Sequence, residues 1–141
     1  MTIEKLVQHP RIHPGLQELR YSEANKIRKL LVGRKVVEVD GDQAKLDNGT
    51  IVRVLPNDGG CSCGAGDYEL KALNRVDNVI TKVEFEDAAG NYDAHTYRIF
   101  VYADNEKINL LTVEGDDGSG WYGTGYELLV KPYVHEGRAA A

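Results

Sequence analysis

TYRIFVYADNEKINLLTV, residues 96–113, decides the fold. Tyr97, Ile99, Val101 and Ala103 alternate with Thr96, Arg98, Phe100 and Tyr102. A period of two residues belongs to a strand with one face toward a core, not to a helix. A tight turn at Asp104-Asn105 ends that strand, and Lys107 to Val113 follows as the next. Upstream, Val79, Thr81, Val83 and Phe85 alternate with Lys82, Glu84 and Glu86, a half-buried pattern again, and Ala88 to Asn91 turns the chain. Downstream, five glycines between Gly115 and Gly125 lead into a further strand at Thr124 to Lys131.

Further out, residues 35–40, 43–47 and 50–55 read as a three-strand meander with turns at Gly41-Asp42 and Asn48-Gly49. Residues 56–66, PNDGGCSCGAG, form a loop. Asp67 to Asn74, DYELKALN, reads as a short helix capped by Asp67 with Leu70 and Leu73 inward. At the N-terminus, Thr2 to His9 offers a short helical stretch stopped by Pro10. A better helix follows, with Ser22 as cap, Ala24, Ile27, Leu30 and Leu31 as its stripe, and Gly33 as its end. The expected fold is therefore α+β: an N-terminal helical arm (1–33), then a mainly antiparallel sheet with one short inserted helix (34–133), and a flexible tail (134–141).

Composition narrows the partners. The net charge of −5 argues against a nucleic-acid polymer, whose binding needs a basic face to neutralise phosphates. A small phosphorylated ligand stays open, because one or two arginines can hold it. No apolar run reaches membrane-spanning length and the first residues lack a signal-peptide core, so a soluble, cytoplasmic protein is expected.

Arg98 beside Phe100 and Tyr102 could form a stacking platform with a phosphate-binding guanidinium, but the face reads first as a second layer under the helical arm or a dimer partner. Apolar residues on both sides of Thr96–Ala103 lead to the expectation of a homo-oligomer, a dimer first of all. Cys61 and Cys63 lack two further ligands at zinc spacing, so no metal and no cofactor is expected. Zinc-protease and P-loop signatures are missing from the sequence, His95 reads as a surface residue in a turn, and Glu84, Glu86 and Asp87 read as a solvated face. The expectation is a protein without catalysis. Gly118 and Gly120 fit a hairpin connection, whereas Gly123 and Gly125 mark a place where a ligand, a partner chain or the Trp121 ring presses on the backbone. Trp121 and Tyr122 would then wall a pocket bounded by Arg98 and Phe100, with Gly123 and Gly125 beneath.

The order of these features resembles a family of small tailed-phage proteins, common in phages of actinobacteria and carrying a domain of unknown function. The resemblance rests on VEVDGDQAKLDNGTIVRV, the cysteine pair, NVITKVEF, the Y-x-x-F strand and the G-x-G-W-Y hairpin, over roughly residues 34–131. Many members have adjacent cysteines, where this chain has Ser62 between them. More distantly, the size and the Arg98, Phe100, Tyr102 face resemble phage anti-defence sponges that sequester cyclic ADP-ribose signals of the Thoeris system. That resemblance implies a non-enzymatic, phage-type protein holding a small cyclic nucleotide through Arg98, Phe100, Tyr102, Trp121, Tyr122 and Gly123, in the cytoplasm of a host cell. The alternative is an interaction module that binds a host or virion protein through the same aromatic face.

Overall fold

The computed structural model describes residues 16–56, 67–89, 94–116 and 125–132. These residues form nine strands and one helix in two antiparallel sheets. In chain order they are β1 (Gln17–Arg20), α1 (Ala24–Leu31), β2 (Val36–Asp40), β3 (Gln43–Leu46), β4 (Ile51–Pro56), β5 (Asp67–Leu73), β6 (Ile80–Ala89), β7 (Ala94–Ala103), β8 (Glu106–Asp116) and β9 (Tyr126–Lys131). A five-stranded sheet runs β1-β9-β4-β3-β2 and a four-stranded sheet runs β5-β8-β7-β6.

The α+β expectation is thus corrected to a mainly β fold. The supposed inserted helix is β5, hydrogen-bonded along β8. Its Leu70 and Leu73 mimicked helical spacing because a bulge between Leu70 and Ala72 shifts the phase of the strand. One extra residue, exposed Lys71, lets both leucines pack on the core three positions apart. Among the described residues before 34, the expected helical arm is also replaced, by one strand and one short helix. Gln17–Arg20 adds to the five-stranded sheet beside β9, with Leu19 opposite Leu128. The helix expected after Ser22 is present as α1, and Ile27 and Leu31 are its buried side. Its N-cap position is Glu23 rather than Ser22 and makes no side-chain cap. Glu23 instead accepts the Arg20 backbone N–H at 3.0 Å, tying the end of β1 to the helix. The helical stretch expected at Thr2 to His9 lies outside the described residues.

The turns follow from local chemistry. Asp104 and Asn105 both have positive φ, 52° and 62°, as a two-residue hairpin with Ala103 opposite Glu106 requires. Asn48-Gly49 belongs to a three-residue loop: Gly49 N–H donates to Leu46 at 3.0 Å and only the glycine is left-handed, at φ 89°.

The core lies between the sheets. Ile80, Val83, Ile99, Val101, Leu111 and Val113 from the four-stranded sheet meet Val36, Leu46, Val52, Val54, Leu128 and Val130 from the other, with Ile27 and Leu31 closing one side. A second cluster holds Ile51 and Leu129, with Leu16 and Leu55 packed against it. At one end Tyr97 gathers Tyr21, Tyr68, Tyr126 and His95, with ring centroids 4.9, 5.8, 6.1 and 4.4 Å away.

Candidate functional site

β7 carries the residues singled out from the sequence. Tyr97, Ile99, Val101 and Ala103 are buried, as the alternation predicts. Arg98, Phe100 and Tyr102 alternate with them and stand half-buried on the outer face of the four-stranded sheet. β6 sets Glu86 opposite Arg98, Glu84 opposite Phe100 and Lys82 opposite Tyr102. On the other flank, β8 sets Thr112, Asn109 and Lys107 opposite the same three residues. A bulge on β8 between these pairs turns the backbone at Leu110, so that Leu110 and Leu111 are both buried while Asn109 keeps its place beside Phe100.

The face is a lattice of matched groups. The Arg98 guanidinium donates to Glu86 directly across the ladder. Tyr102 donates its hydroxyl to Glu84 Oε1 at 2.7 Å on the diagonal. Lys107 Nζ lies 4.6 Å from the centre of the Phe100 ring and 3.5 Å from Glu84. Lys82 Nζ lies 5.2 Å from the centre of the Tyr102 ring and 3.8 Å from Glu84. Cations over the negative ring faces are attracted by the quadrupole. The Tyr102 hydroxyl, helped by Lys107 and Lys82, holds the Glu84 carboxyl below the usual carboxylate range. The same bond raises the Tyr102 phenol, because its proton is held by a carboxylate. Asn109 donates to Thr112 Oγ1 at 2.8 Å, and its own buried amide oxygen finds no hydrogen-bond partner among the described residues.

Other expectations are corrected or fall elsewhere. His95 is not a surface turn residue: it lies in β7, stacks on Tyr97 with rings 5° from parallel, and pairs with Asp87. Glu84 and Glu86 are not merely solvated, since they are the partners of Tyr102 and Arg98. The sequence reading missed them as site residues. Their signal was the Lys82-Glu84-Glu86 alternation one turn before an alternation of Arg98, Phe100 and Tyr102. Gly125 does not sit beneath the Arg98 face. It precedes β9 in the other sheet, and the ring that presses on it is Tyr21, whose Cδ1 would stand 2.5 Å from a Cβ there. Trp121, Tyr122 and Gly123 lie outside the described residues, as do Cys61 and Cys63.

Among the described residues, no group of three or more His, Cys, Asp or Glu side chains is placed to hold a metal ion, and no helix is long and apolar enough to cross a membrane. A void between the sheets, lined by Leu30, Val54, Ile99 and Leu128 among others, measures about 20 Å³ and has no room for a ligand. What the geometry offers is an outer surface with aromatic rings, cations and carboxylates held in fixed register.

Residues 29–128 match the model of a domain of unknown function (DUF7448), and the chain belongs to that family. No curated protein and no solved structure matches it.

Proposed function

We propose that this family member is a non-enzymatic binding protein whose working surface is the outer face of the four-stranded sheet, and that its partner is another protein. The observation that carries this reading is the lattice around Arg98, Phe100 and Tyr102. Three cations (Lys82, Arg98, Lys107) and two carboxylates (Glu84, Glu86) are interleaved with two rings on one rigid face. Arginine and aromatic residues are the side chains enriched at protein interfaces, where rings supply buried area and charges set register. The near-balance of charge suits a mixed protein surface better than a run of phosphates.

A second reading keeps a small cyclic nucleotide as the ligand, in a phage-encoded protein that sequesters a host immune signal in the host cytoplasm. Phe100 next to Arg98 favours it, since a base can stack on the ring while the guanidinium takes a phosphate. The ligand must then displace Glu86 from Arg98 and Lys107 from the ring. Trp121, Tyr122 and Gly123 remain part of this proposal.

Thermal melting against a panel of cyclic nucleotides, cyclic ADP-ribose included, separates the two. The protein-partner reading expects no shift of Tm. A concentration-dependent rise, lost in Arg98→Ala, favours the sequestering reading and removes the first.

A further inference from the structure

β6 forms one edge of the four-stranded sheet, with β7 as its partner strand. At its start the free side is closed: Ile80 N–H donates to Arg34 at 2.9 Å, and Gly33 N–H donates to Ile80 at 2.8 Å. From Thr81 onward an open groove of about 550 Å³ runs alongside, lined by Arg28, Val32 and the five successive residues Thr81–Phe85. Successive strand residues point to opposite faces of a sheet. Five in a row line one groove only where it follows the backbone edge, so the groove follows the side of the strand that, among the described residues, pairs with no other strand. Long open edges invite another strand.

We propose that this edge receives β6 of a second copy, antiparallel about a two-fold axis at Glu84, joining two four-stranded sheets into one of eight. The side chains choose both the partner and the register. Pairing about Glu84 sets Lys82 opposite Glu86 of the second copy, twice by symmetry, and Val83 opposite Phe85 of the second copy. The apolar pair continues onto Val32, which is 44% exposed, and the stem of Arg28, whose guanidinium lies 5.0 Å from the centre of the Phe85 ring. Moving the axis to Phe85 would set Glu84 against Glu86 on both sides. Moving it to Val83 would shorten the paired stretch against the closed end at Ile80. At the axis itself two Glu84 carboxylates meet, and each is already matched by Lys82 at 3.8 Å, Lys107 at 3.5 Å and the Tyr102 hydroxyl at 2.7 Å. Such a dimer lays the two Arg98, Phe100, Tyr102 faces side by side, and it does not depend on what those faces bind.

Light scattering of the full chain over a wide concentration range reads the state directly. The expected mass is twice 15.6 kDa. Lys82→Glu and Glu86→Lys should each halve it, and the double reversal should restore it, which a folding defect would not do. In a Cys61→Ser, Cys63→Ser background, Glu84→Cys should form an intermolecular disulfide on mild oxidation, and Val37→Cys on the other sheet should not. A 15.6 kDa particle at every concentration overturns the proposal, as does a dimer that both single reversals leave intact. Partner binding through Arg98 is read separately, so a parent chain that stays monomeric yet binds its partner rejects this inference and leaves the proposed function standing.

Discussion

The ring of Tyr21 fills the space that a side chain at Gly125 would need. A Cβ there would stand 2.5 Å from Cδ1, 2.7 Å from Cε1 and 2.9 Å from Cγ of that ring. Gly125 also has φ of 71°, a conformation L-residues disfavour, and the Tyr21 backbone N–H donates to Tyr126 at 3.0 Å. The segment between β1 and α1 is thereby clamped to the start of β9. Gly125→Ala should destabilise by about 2–4 kcal/mol, overpacking and backbone strain together. Urea denaturation of Gly125→Ala, Tyr21→Ala and the double variant measures the coupling. The double variant should cost clearly less than the sum of the singles, and strict additivity would show that the contact does not matter.

Leu129 is fully buried although it belongs to the smaller cluster with Ile51 rather than to the main core. Leu129→Ala should therefore cost about 2–5 kcal/mol, as a core leucine does, not the few tenths of a surface position. The denaturation midpoint of this single variant decides it.

Burial holds the Tyr126 phenol well above the ordinary tyrosine value. A raised folded pKa means that the contribution to stability is complete below the unfolded value near 10 and is lost as pH rises through the folded one. Alkaline unfolding should thus steepen above pH ~10, and Tyr126→Phe should be less sensitive there. Melting temperatures from pH 8 to 11 on parent and variant would show the difference, and parallel curves would contradict it.

Glu84 behaves oppositely. Its carboxyl is lowered, first by the Tyr102 hydroxyl, so its contribution is present above the ordinary carboxylate range and is lost as pH falls through the folded value. Tyr102→Phe should move the Glu84 titration, followed by carboxyl-carbon NMR, back up toward that range. An unmoved titration would show that the bond is not kept in solution.

Much of the fold is legible in the sequence wherever the two-residue period is unbroken. Val79–Phe85, Thr96–Ala103 and Lys107–Val113 give β6, β7 and β8 with the correct buried face for β7. The reading failed where a bulge breaks the period, since Leu70 and Leu73 then imitate a helix. It failed again at Gln17–Arg20, where one buried leucine in a four-residue edge strand leaves no pattern to read. Within the candidate site, Arg98, Phe100 and Tyr102 could be placed on one face from alternation alone. Their partners could not, because which carboxylate meets which donor depends on the β6–β7 register. The pressure on Gly125 was legible, but not its source, for Tyr21 lies about a hundred residues away in the chain.

The central claim is that the outer face of the four-stranded sheet is where this protein binds. Site-specific photo-crosslinking inside the cell that naturally produces it tests this most directly. A crosslinking residue placed at Phe100 should give one dominant protein adduct, absent when Arg98 is also changed to Glu, while the same residue at Val37 on the other sheet gives none. Equal adducts at the two positions, or a Phe100 adduct indifferent to Arg98→Glu, would contradict the account.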